Sequence, residues 1–278
     1  MQIGVNVPNF GPGTNPDNLA RWARTVEGLG FDLLMVSDHV AITPDVARQY
    51  PAPFYEPVTT LAWLAGITTR VKLGTTVLIA PYRHPLLVAR MAANLQQLSG
   101  GRLILGVGVG WAKEEFAALG VPFSRRGALT DEVLDTLRTA WENDADYGSG
   151  QIPIWIGGNS DAAIRRAVRR GLPWHPLRFT MPWFNDALER LKRISAELDR
   201  PVPDLTPRIF LRITQKPIDD PERRAGEGTI EQVLEDLEQL RRAGADTVLL
   251  DPYHGDPDET LRPEQAWQAL ATVAAHRA

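Results

Sequence analysis

The chain contains no cysteine. That excludes a disulfide framework, thiolate zinc sites and cysteine nucleophiles. Histidine is also scarce. His39, His84, His175, His254 and His276 are the full set, and none forms an H-E-x-x-H pair or a comparable cluster. No metal site is expected from such spacing. Missing too is any run approaching the ~20 apolar residues of a membrane helix. The opening "MQIGVNVPNF" has no basic region followed by a long apolar stretch, so it reads as a first strand and not a signal peptide. Neither sign of charge dominates: 30 Lys and Arg face 34 Asp and Glu, a net charge of −4. Nothing in that balance suggests a surface for nucleic acid or for an anionic membrane. The expectation is a cytoplasmic protein whose partner is a small molecule.

What the chain does have is alternation. Apolar runs at 2–7, 32–37, 71–79, 102–110, 152–158, 172–177, 207–214 and 246–252 read as strands. Amphipathic stretches at 15–30, 56–68, 84–100, 125–141, 159–171, 182–200, 228–245 and 262–278 read as helices, several with proline near the start. In the first helix Leu19, Trp22, Ala23, Val26 and Leu29 share one face. Trp63, Trp141 and Trp267 are expected to pack on helix faces. The segment 172–177 is the weakest strand because of its prolines. Eight strand–helix units in 278 residues predict a single-domain α/β fold, a (β/α)₈ TIM barrel over 1–278. A doubly wound sheet is disfavoured by the absence of a G-x-G-x-x-G turn after the first strand.

A barrel enzyme builds its site at the carboxyl ends of its strands. Asp38 and His39 end the second strand. A histidine there suits proton handling, because imidazole titrates near physiological pH. The competing reading is a loop cap beside a solvated histidine. In "IGGNSDAA" a double glycine, Gly157 and Gly158, leads through Asn159 and Ser160 into a helix. Unpaired N–H groups and the helix dipole there favour a phosphate, and a plain N-cap explains the same residues. "LGVGVGW" places Gly108 and Trp111 after the fourth strand, either for a flat ligand to approach the backbone or for a tight turn. Thr75 and Thr76, in "GTTV", are ordinary strand residues by themselves. The long loop 40–57 carries Tyr50, Phe54 and Tyr55, a candidate substrate wall.

Taken together, "GFDLLMVSDHV", the block from Gly74 to Gly127 and "PIWIGGNSDAAIRRA" resemble the bacterial luciferase-like monooxygenase superfamily, most closely its branch that uses the deazaflavin coenzyme F420. The resemblance is strong over the first two-thirds of the chain. It implies a TIM barrel holding a flavin-type cofactor at its carboxyl end. It places Asp38 and His39 near the reactive ring, and Thr75–Thr76 in a bulge with a non-prolyl cis peptide behind that ring. It assigns Gly157, Gly158, Asn159 and Ser160 to the cofactor phosphate, and Gly108 and Trp111 to the cofactor or substrate pocket. It also implies a homodimer.

Two departures stand out. The bridge 142–153 is shorter than the family's usual segment, which predicts a more open substrate side. "GLPWHP" replaces the usual "GDGWHP", which leaves Leu172 and Pro173 without a polar role. The leading expectation is an F420-dependent oxidoreductase with catalytic His39 and Asp38. An FMN-dependent monooxygenase and a non-catalytic flavin-binding protein are the rivals.

Overall fold

The computed structural model describes residues 1–143, 147 and 150–276. Its barrel strands are β1 (Gln2–Asn6), β2 (Leu33–Val36), β3 (Lys72–Ile79), β4 (Leu103–Gly108), β5 (Ile154–Gly157), β6 (Trp174–His175) and β7 (Arg208–Phe210). After β8 (Arg212–Ile213) and β9 (Glu227–Gly228), β10 (Thr247–Asp251) is the eighth barrel strand. The order β6-β5-β4-β3-β2-β1-β10-β7 forms one sheet, and every pairing in it is parallel. Its two edges meet. Arg178 N–H donates to Arg208 C=O at 2.9 Å, and Arg208 N–H donates to Pro176 C=O at 2.8 Å. These bonds close β6 onto β7, which gives the expected barrel.

The helices are α1 (Pro16–Gly28), α2 (Pro44–Ala47), α3 (Pro57–Ala65), α4 (Pro85–Leu98), α5 (Lys113–Ala118), α6 (Arg126–Asn143), α7 (Asp161–Arg170), α8 (Met181–Glu197), α9 (Ile230–Arg242) and α10 (Pro263–Ala275). In α1, Leu19, Trp22, Ala23 and Val26 are buried against the sheet. Each large side chain so buried contributes roughly 1.5–3 kcal/mol. Trp22 meets Trp267 of α10 edge to face at 5.6 Å. Trp63, by contrast, is exposed on α3.

Three details depart from the sequence reading. The seventh strand, 207–214, splits. Leu211 N–H still bonds Asp251 C=O, but Arg212 N–H turns to Gly226 C=O, so β8 pairs with β9 outside the barrel. Gly226 permits this, because a Cβ there would sit 1.8 Å from the Phe210 carbonyl oxygen. The sixth strand shrinks to Trp174 and His175, since the flanking Pro173 and Pro176 have no N–H to donate. The helix α2 lies in the long loop 40–57, and α5 lies between the fourth strand and the helix expected at 125–141, where no element is expected. The expectation of an open substrate side from 142–153 falls partly on 144–146 and 148–149, outside the described residues.

Candidate active site

Along each barrel strand, alternate side chains point inward. Near the amino end the interior is apolar, with Leu33, Met35, Ile104, Trp155 and Leu249 in one cluster. Two residues further along β10 the inward position is Asp251, and on β1 the corresponding end carries Asn6; both are fully buried. The interior therefore turns polar toward the carboxyl end, where buried polar groups must find partners.

Asn9 shapes the loop after β2. Its Nδ2 donates to Ser37 C=O and Tyr55 C=O at 2.9 and 2.6 Å, and its Oδ1 accepts from Ser37 N–H at 3.0 Å. That clamp leaves Asp38 buried. Arg83 donates to both its oxygens, at 2.6 and 2.9 Å, and Ile79 N–H donates at 2.8 Å. Burial pushes the Asp38 carboxyl above its ordinary range, against the pull of Arg83. Both Asp38 oxygens are thus engaged in tying the β2 loop to the end of β3.

His39 points elsewhere. Its Nδ1 lies 2.6 Å from Glu115 Oε2 in α5. Glu115 has no exposed side-chain surface and accepts from Tyr82 OH at 2.9 Å and from the N–H groups of Val40 and Ala41 at 2.6 and 3.1 Å. Burial alone would raise the Glu115 carboxyl, but the bonds from His39, Val40 and Tyr82 outweigh it and hold the group below its usual range. An ionised carboxylate only accepts, so Nδ1 carries the proton and Nε2 is free for a ligand. Tyr50, Phe54 and Trp111 stand around the imidazole with ring centroids 5.3, 5.5 and 5.6 Å away.

Strand β3 breaks register with β4 between Thr75 and Leu78, and the Thr76–Val77 peptide is cis. The glycines of β4 and β5 make room for this bulge. A Cβ on Gly106 would meet Thr75 O at 2.1 Å, while Cβ atoms on Gly108 and Gly157 would meet Val77 methyls at 2.4 and 2.6 Å. The glycine pattern thus admits the protein's own bulge. From below, Arg208 Nη1 donates to Thr76 C=O at 2.8 Å and to Thr76 Oγ1 at 3.2 Å. Thr76 Oγ1 lies 2.9 Å from His175 Nε2, and His175 Nδ1 bonds Thr206 C=O. A carbonyl only accepts, so His175 is protonated at Nδ1 and Thr76 OH donates to Nε2. Burial, with the nearby Arg208 charge, pushes His175 down to about 4, against the Thr206 bond, so the ring is neutral.

These elements border a cleft of about 220 Å³ lined by Asp38, His39, Tyr50, Thr76, Val77, Gly108, Trp111, Gly157, Gly158 and Arg208, among others. Eight of the residues singled out from sequence meet there: Asp38, His39, Tyr50, Thr76, Gly108, Trp111, Gly157 and Gly158. Thr75 does not line it, and its hydroxyl donates to Gly106 C=O at 2.7 Å. Ser160 caps α7 by accepting from Ala163 N–H at 3.3 Å. Asn159 has both ends of its amide on the Leu177 backbone, at 2.8 and 2.9 Å. Glu115, Arg83, Arg208 and His175 were not singled out as site residues. Arg83 and His175 stand out in the sequence only by their place at strand ends; Glu115 and Arg208 carry no local signal, since their partners are distant in sequence.

Comparison with known proteins agrees with this architecture. Residues 1–217 match the model of the luciferase-like monooxygenase family. A phthiodiolone/phenolphthiodiolone dimycocerosates ketoreductase of Mycobacterium tuberculosis is 29% identical over 231 residues, covering 70% of this chain and 60% of that protein. An uncharacterized protein of the same species is 33% identical over 175 residues, covering 53% of this chain and 61% of the relative. The chain thus spans about 60% of the length of the curated relatives it matches. Among solved structures, the coenzyme F420 dependent tetrahydromethanopterin reductase of Methanopyrus kandleri superposes with a TM-score of 0.73 at 18% identity, over 99% of this chain and 97% of that one. The oxygenating constituent of 3,6-diketocamphane monooxygenase of Pseudomonas putida, in complex with FMN, gives 0.77 at 17% identity, with coverage of 99% and 97%. With 217 of its 278 residues matched by the family model and the barrel in place, the chain belongs to the luciferase-like monooxygenase family.

Proposed function

We propose that this protein is an F420-dependent oxidoreductase acting on a carbonyl or carbinol carbon of a small organic substrate. The observation that carries the reading is the His39–Glu115 pair. It presents an imidazole with a defined tautomer to a cleft otherwise walled by aromatic rings and glycine backbone. The cleft fits a flat ring with an anionic tail. Val77 and Thr76 of the bulge form its back, Trp111 and Tyr50 its sides, and Gly157 and Gly158 lead to the amino end of α7, where backbone N–H groups favour a phosphate. When bound, coenzyme F420 supplies a two-electron hydride carrier.

The chain's own residues supply proton handling and position. His39 Nε2 takes the proton from a substrate hydroxyl, or returns one to a carbonyl oxygen. Glu115 stays ionised and stabilises the imidazolium that forms. Asp38 and Arg83 hold the backbone on which His39 sits. Tyr50, Phe54 and Trp111 keep water from the imidazole. Support comes also from the ketoreductase relative and from F420-dependent proteins among the structural neighbours.

Titration with F420 tests the assignment. Trp111 lines the cleft and is half exposed, so micromolar cofactor should quench tryptophan fluorescence. Absence of F420 binding, together with oxygen uptake in the presence of reduced FMN, would overturn it in favour of a flavin monooxygenase.

A further inference from the structure

The charges on the β7 side of the cleft do not balance. Asp251 has no exposed surface and faces two guanidinium groups, Arg208 at 2.6 Å and Arg178 at 3.0 Å. The side chains of these arginines are only 4% and 10% exposed. Among the described residues no second carboxylate pairs with either. His175, which also reaches this network, is neutral. One positive charge therefore remains in a desolvated setting, which is unfavourable until an anion joins it.

The geometry of Arg178 points the same way. Its backbone is left-handed, with φ 53°, a conformation that a side-chain-bearing residue keeps only where the surroundings enforce it. Its Nε donates to Asp251 Oδ2 at 3.0 Å and its Nη2 reaches Tyr253 C=O at 3.5 Å, and no hydrogen bond to Nη1 occurs among the described residues. Nη2 also lies 3.0 Å from Asp251 Oδ2, so Nη1 is the nitrogen left to donate, and a charged N–H donor of that kind suits an oxyanion. The Arg178 guanidinium lies 5.8 Å from the ring centre of Tyr50, a wall of the cleft, and Arg208 lines the cleft itself. Arg224, with no ion pair among the described residues, sits 5.2 Å from the Phe210 ring that Arg178 also covers at 5.2 Å.

We infer that the Arg178–Arg208 edge of the cleft binds an oxyanion carried by the substrate, a carboxylate or a phosphate ester. The inference rests on the reading of this cleft as the substrate site. It separates the substrate anion from the cofactor phosphate, which the double glycine and α7 would hold at another edge.

Isothermal titration of the full chain with benzoate, phenyl phosphate and benzamide tests it, with and without saturating F420. Benzamide keeps the ring and removes the charge. Benzoate or phenyl phosphate should bind about tenfold tighter than benzamide, and rising salt should erase the difference. Arg178→Gln should abolish the preference while F420 binding persists. The comparison in the unaltered protein decides even where the variant fails to fold. Equal affinity for the charged and neutral probes, or no binding of any, would overturn the inference. Selective binding of the anions in a protein that ignores F420 would sustain it and sink only the cofactor reading.

Discussion

Glu115 Oε2 accepts the Nδ1 proton of His39 at 2.6 Å, across 76 residues of sequence, inside a protein interior that hides both side chains. A carboxylate so placed orients an imidazole and sets which nitrogen is left for chemistry. Glu115→Gln should therefore change the tautomer before it changes the fold. With ¹⁵N-labelled histidine, NMR should show His39 protonated at Nδ1 in the native protein and shifted toward Nε2–H in the variant. Turnover should fall by roughly 10²-fold or more, the usual scale for lost acid–base assistance. An unchanged tautomer would mean that Glu115 serves only to tie down Val40 and Ala41.

The bulge and the glycines opposite it form a matched set. Gly108→Ala places a methyl 2.4 Å from the Val77 side chain, a clash that should cost about 1–3 kcal/mol. Val77→Ala should relieve most of that cost when combined with it. A double-mutant cycle in urea reads the coupling. Additive costs would show that Gly108 is needed for some other contact.

Asp251 is the one carboxylate that faces the two buried arginines Arg178 and Arg208 among the described residues, so removing its charge should be far worse than removing an exposed one. Asp251→Asn should destabilise the protein by about 3–5 kcal/mol. Arg21→Gln breaks the exposed pair with Glu264, whose side chains are 53% and 61% accessible, and should cost no more than ~1 kcal/mol. Chemical denaturation of both variants checks the contrast, and equal losses would refute it.

His175 should make stability depend on pH in a defined window. In the unfolded chain it titrates near 6.5; in the fold it is held down to about 4. Between these values the unfolded state binds the extra proton. Its contribution is complete above about 6.5 and is lost as pH falls toward 4, at up to ~1.4 kcal/mol per pH unit. Denaturation midpoints measured from pH 7 to 4.5 should fall more steeply for the native protein than for His175→Asn. Parallel curves would mean that the imidazole does not carry this linkage.

Much of the barrel was legible in the residue order, because continuous apolar runs mark strands buried on both faces and helical periodicity marks the buried face of each helix. The capped starts at Asn15–Pro16 and Ser160 belong to that local layer, as does the position of Asp38 and His39 at a strand end. Only the closed structure decided what those residues face. His39 finds Glu115 on a short helix that its six residues do not announce, and Asp38 finds Arg83. The glycines at 106, 108 and 157 meet the bulge of β3. Arg208 meets Asp251 and Thr76 because β7 lies beside β10 and its long side chain reaches β3 across the barrel. Local pattern carries the sign of burial, since that depends on neighbours three or four residues away. The partner of a buried charge depends on strand register and barrel closure, which bring together atoms from opposite ends of the chain.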